Sequence, residues 1–123
     1  MSSRTAALQA WLEGFDMPAY AAQAVPDNAE LPYLTYTPVA GAWGDGEQGV
    51  TVETWRRTGS EAKANADAEA IGRALGLGGV MLACDGGGLW VKRGSPFWQA
   101  VDSGEPGVKR RYINLSIENI TTF

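Results

Sequence analysis

Histidine does not occur in these 123 residues, and cysteine occurs once, at Cys84. The first absence removes the side chain most used as a general base near neutral pH and as a transition-metal ligand. The second excludes an internal disulfide; Cys84 lies in an apolar run and reads as a small core residue, not a reactive thiol. An excess of positive charge is also missing. Ten Lys and Arg face fourteen Asp and Glu, giving a net charge of −4 and a pI near 4.7. A protein built to grip nucleic acid normally carries a basic balance or stripe. Long hydrophobic runs are absent too: Ala6 to Phe15 is interrupted by Gln9, Glu13 and Gly14, unlike a signal segment or a membrane span. These absences point to a reducing cytoplasm, or to export only as part of a larger object.

What is present is ordinary globular material rich in turns. Hydrophobic residues make up 45%, with 16 Gly and 6 Pro, and the apolar runs between them argue for one folded domain, residues 1–123, rather than disorder. The stretch from Gly78 to Thr121 organises it. Two apolar runs flank Asp85-Gly86, a strong hairpin signal. After a Pro-Phe-Trp-Gln knot at Pro96 to Gln99, Val108 to Thr121 alternates. Ile113, Leu115 and Ile117 fall on one face, with Tyr112, Asn114, Ser116 and Glu118 on the other.

Upstream, Thr5 to Glu13 reads as a short helix with Leu8, Trp11 and Leu12 on one side, Thr5 as N-cap and Gly14 as terminator. Phe15 to Leu31 reads as a connector. Pro32 to Val39 is a strand, placed at an edge by its flanking prolines. Gly41 to Gly49 is a loop. Val50 to Arg57 is a strand with Val50, Val52 and Thr54 opposite Thr51, Glu53 and Trp55. Ser60 caps a second helix running to Leu75, whose Ala62, Ala66, Ala70 and Ala74 stripe would allow close approach to a sheet. The fold expected is α+β, two-layer, in the order α-β-β-α-β-β-β, with a mainly antiparallel sheet and flanking helices.

Chemistry is hard to place on this frame. Gly76-Leu77-Gly78-Gly79 follows a helix and precedes a strand, the reverse of a phosphate-binding loop. Asp45 and Glu47 begin a calcium-like series that stops too early. Glu53, Asp85, Asp102, Glu105 and Glu118 are acidic residues with nothing to pair them, and no serine has a histidine to activate it. The expectation is a non-enzyme with no cofactor, no metal and no catalytic residue. The basic groups Arg56-Arg57, Lys92-Arg93 and Lys109-Arg110-Arg111 allow edge protection, an interface with acidic neighbours, or contact with a nucleic-acid backbone. Of five tryptophans, Trp11 and Trp90 fit core positions. Trp43, Trp55 and Phe97-Trp98 are harder to bury together and suggest protein contacts.

The string Trp11-Leu12-Glu13-Gly14-Phe15, Met17-Pro18-Ala19-Tyr20, Leu31-Pro32-Tyr33-Leu34-Thr35-Tyr36, Val52-Glu53-Thr54-Trp55 and Arg111-Tyr112-Ile113-Asn114-Leu115 resembles small tail proteins of long-tailed bacteriophages. The likeness is to tail terminator-like (tail completion) proteins. It also takes in the turn Gly88-Leu89-Trp90-Val91-Lys92-Arg93-Gly94-Ser95-Pro96-Phe97, and it runs from about Trp11 to Thr121. It implies a structural virion protein, a homo-oligomer forming a hexameric ring. Such a ring caps the tail tube protein and receives the head connector protein, with DNA only passing through the lumen and no membrane. Its place would be the virion neck or tail, after assembly in the host cytoplasm.

On that likeness Gly41 to Gly49 and Pro96 to Pro106 would reach neighbouring subunits. Trp43, Asp45, Trp55, Phe97 and Trp98 would be contact residues, and Arg56, Arg57, Arg110 and Arg111 would pair with acidic residues across seams. A head–tail connector or other minor tail component, and a small-ligand-binding α+β domain, are the alternative readings.

Overall fold

The computed structural model describes residues 3–37 and 46–121. Helix α1 (Arg4–Leu12) leads through a tight 3-10 turn (Glu13–Phe15) to strand β1 (Ala19–Ala21) and strand β2 (Tyr33–Tyr36). Strand β3 (Glu47–Arg57), helix α2 (Glu61–Leu75) and strands β4 (Val80–Cys84), β5 (Gly87–Val101) and β6 (Val108–Thr121) follow. The six strands form one sheet in the order β1-β2-β3-β6-β5-β4; only the β1–β2 pair is parallel. The expected α+β class, its antiparallel character and the sequence of main elements are all present.

Alternation decides the faces. Val50, Val52 and Thr54 of β3 stand directly opposite Leu115, Ile113 and Arg111 of β6, and all six are buried. Leu34, Tyr36, Leu89, Val91 and Ile117 join them, and Leu8, Leu12, Ile71 and Leu75 from the two helices close the core. Each such aliphatic side chain contributes about 1.5–3 kcal/mol by leaving water. The sheet curls around both helices, and among the described residues no helix lies on its other face.

Several expectations shift. Ser3, not Thr5, caps α1, accepting the Ala6 N–H at 3.1 Å. Gly14 does not end it; the chain tightens through Phe15 and turns left-handed at Asp16 (φ 62°). The connector contains β1, which lies outside β2, so β2 is not the edge strand. Pro38 and Val39, expected in that strand, lie outside the described residues.

On α2 the cap is Ser60, as expected. The inward stripe, however, is Ala64, Ala68 and Gly72, while Ala62, Ala66 and Ala74 are exposed. Ile71 and Leu75 set that phase, because residues three, four and seven positions back share their face. Trp90 is not a core residue: Leu89 and Val91 take the helix side, so the ring between them points the other way.

The Pro96–Gln99 knot is part of β5. Five residue steps on β5, from Arg93 to Trp98, face two on β6, from Leu115 to Ile113. Residues of odd number face the helices before this irregularity and residues of even number after it. Trp98 thereby turns inward against the core.

Candidate interface on the helix-free sheet face

Strand pairing lines up rows of side chains across the uncovered face. One row reads Tyr33, Trp55, Arg110, Val101; the next reads Thr35, Glu53, Tyr112, Gln99. At the far end Glu47, Glu118, Trp90 and Met81 form another. Cross-strand neighbours of this kind are close enough to bond.

Arg110 is the centre. Its Nε and Nη2 donate to both carboxylate oxygens of Glu53 at 3.0 and 2.8 Å, and its guanidinium lies 4.8 Å from the centroid of the Trp55 ring. The Glu53 hydrogen bonds raise the Arg110 pKa and hold it charged. Such two-pronged pairs have fixed geometry. The Trp55 indole N–H donates to Thr35 Oγ1 at 3.2 Å, and the Tyr33 ring sits 6.5 Å from it. Tyr20 meets Tyr33 edge-on at 5.6 Å. Toward β4, Lys92 lies 4.1 Å from the Trp90 ring and is ion-paired with Glu47, whose carboxyl is thereby held below its usual range.

A cleft of about 510 Å3 opens where this face meets the ends of β2, β3 and β6, lined by Leu31, Tyr33, Trp55, Arg57, Glu105 and Val108 among others. Arg57 and Glu105 are ion-paired there at 3.2 Å. A smaller hollow of about 280 Å3 lies between α2 and β5, lined by Arg73, Arg93, Phe97 and Trp98. Phe97 covers Gly72, where a Cβ would come within 2.9 Å of its ring; Arg93 donates to the Gly72 carbonyl at 2.8 Å.

The site residues expected from sequence therefore divide. Trp55 and Arg110 meet at the centre of the open face, and Arg57 lines the cleft beside them. Arg56 points the other way and grips Asp67 of α2 at 2.8 and 2.9 Å, which raises its own pKa. Arg111 is 3% exposed and bonded to Asn65 and Glu61, at 2.9 and 2.8 Å. All four arginines thus have a carboxylate partner within the chain. Phe97 and Trp98 are half-buried against the core. Trp43 and Asp45 lie outside the described residues, as does most of the expected Gly41–Gly49 loop; its end, Glu47–Gly49, is strand, as is Pro96–Val101.

Glu53, Tyr33 and Thr35 went unrecognised as partners. Alternation placed Glu53 and Trp55 on one face, but only the long-range β3–β6 register sets Arg110 between them. Cys84 is buried, which pushes its thiol pKa up and keeps it protonated. Among the described residues no group of three or more acidic, Cys or His side chains could hold a metal ion. Within the same limits, no helix is long and apolar enough to cross a membrane.

Fold and site together define a two-layer α+β protein with an ordered sheet face that no helix covers among the described residues. Comparison with protein-family models found no match, and comparison with curated proteins found no relative.

Proposed function

We propose that this chain is a structural assembly protein of the phage tail-terminator kind. It acts as one subunit of a ring that closes the end of a tail tube and presents a surface to the head connector, with DNA passing through the lumen. The observation that carries the reading is the helix-free sheet face. Its side chains are already held by one another, so contact with a partner orders little that was free, and little binding energy is lost that way. Trp, Tyr and Arg at its centre are the residue types that dominate protein contacts. A head–tail connector or minor tail component would use the same face without forming a six-fold ring.

The test is native mass across a range of concentration, alone and with a tail tube protein. A closed hexamer, or a ring formed only on tube ends, is expected; a strict monomer under both conditions would remove the reading. A small-ligand reading has one observation in its favour, since the cleft of about 510 Å3 falls within the volume range of ligand sites. Saturable thermal stabilisation by a nucleotide or metabolite would move the function there.

A further inference from the structure

Among the described residues the large apolar side chains that stand exposed are Leu77, at 100%, and Met81, at 57%. They share one corner. Leu77 sits in the turn leaving α2, and Met81 follows in β4 on the helix-free face, directly opposite Trp90. The turn is held firmly. Gly76 and Gly79 take positive φ (61° and 78°), and the Trp90 indole N–H donates to the Gly78 carbonyl at 2.8 Å. A Cβ at Gly79 would come within 2.4 Å of the Val91 carbonyl oxygen, so only glycine lets the turn lie this close to β5. Leu77 and Met81, with Trp90 between the turn and β4, make the corner a small apolar projection. One helical turn earlier Arg73 is exposed, with no ion pair among the described residues.

The chain also carries a matching recess. The cleft beside β2 has Leu31, Tyr33 and Trp55 in its lining and the exposed carboxylate of Glu30, which has no ion pair among the described residues either. None of residues 76–82 lines it, and strands β6 and β5 lie between β3 and β4. Corner and cleft are therefore separate features, one projecting with exposed Arg73 a helical turn away and the other recessed with exposed Glu30 at its wall.

Building on the assembly reading above, we propose that the Leu77–Met81 corner of one copy docks into the Tyr33–Trp55 cleft of a second copy, with Arg73 meeting Glu30. The corner of each copy enters the cleft of the next, a head-to-tail contact. Repeated, it closes into a ring when the rotation per step divides a full turn. A two-fold contact through the corner alone would instead set Leu77 against Leu77 and leave the cleft empty, and a reciprocal dimer would fill both clefts and stop at two copies, which sedimentation separates from a ring.

Mixed cross-linking tests this on the intact chain. Leu77→Cys and Ala29→Cys proteins are oxidised separately and together, with Lys63→Cys as a remote control; buried Cys84 stays. The expected result is a disulfide dimer in the mixture, formed at least about tenfold faster than with the control, and none from either variant alone. A Leu77→Cys homodimer overturns the proposal in favour of a two-fold contact. No preferential cross-link in a protein that sediments as a ring overturns this contact and leaves the ring; no cross-link in a strict monomer overturns both. Charge reversal gives a second reading: Arg73→Glu and Glu30→Arg each weaken self-association about tenfold, and together restore it to within about threefold. Failure of the pair to restore it removes Arg73 and Glu30 from the contact.

Discussion

Arg110 and Arg111 are neighbours in sequence and belong to opposite faces of β6. Arg111 points under α2, 3% exposed, and ties the sheet to the helix through Asn65 and Glu61. Arg110 points to the uncovered side, where it grips Glu53 and lies over Trp55. The same residue type is mortar on one face and surface on the other. What separates them is not chemistry but whether a helix lies above. Substitutions made in such adjacent pairs measure how differently the two faces count.

The largest contrast is expected at the next pair along. Leu115 is fully buried, and Leu115→Ala should cost about 3 kcal/mol of unfolding free energy. Ser116→Ala, one residue away on the open face, should stay within about 0.5 kcal/mol. Urea titration of both variants measures this; equal losses would mean the open face is covered after all.

A smaller contrast is expected at the arginines. Arg111→Met removes the Nε donor to half-buried Asn65 and the Nη2 donor to Glu61, and should cost about 2 kcal/mol. Arg110→Met breaks a pair that water partly screens and should cost about 1 kcal/mol. If the uncovered face serves in assembly, the order reverses when self-association is read instead of stability.

The smallest effect concerns pH. Hydrogen bonds from Arg111 and then Lys109 hold the Glu61 carboxyl below its ordinary value of 4.5. A lowered folded-state pKa favours the folded chain above that ordinary value, and the advantage is lost as pH falls through the lowered one. Stability should therefore decline below about pH 4.5, and Glu61→Gln should flatten that decline without altering the slope between pH 6 and 8. Urea midpoints measured against pH follow both limbs; an unchanged acid limb would place the sensitivity at other carboxylates.

Much of the frame was legible because it is local. The faces of β3 and β6, the Ser60 cap and the Asp85-Gly86 hairpin each follow from residues a few positions apart. The α2 stripe was misjudged because two alanine series run along that helix, and only Ile71 and Leu75 say which is inside. Trp90 stands outside the core because Leu89 and Val91, its neighbours in the alternation, take the helix side. The partners of the arginines were hidden for a different reason. Glu53 and Arg110 stand 57 positions apart, and Glu61 and Arg111 stand 50, so their meeting depends on register and on where α2 lies, neither of which a local pattern contains. The cleft was invisible likewise, since its walls come from three separated segments, residues 29–33, 55–57 and 103–108.

The irregularity in β5 has a consequence for length change over evolutionary time. Five steps against two leave three more residues on β5 than on β6, and that odd excess exchanges odd for even between Arg93 and Trp98. Were one residue lost, four steps would face two, and plain alternation from Arg93 would already bring Trp98 and Ala100 to the helix side. Were two lost, one extra residue would remain, an ordinary bulge with the same exchange. Pairing with β6 thus holds the faces of Trp98 to Val101, and descendants of this chain should vary in length within that segment while Trp98 still meets Ile113.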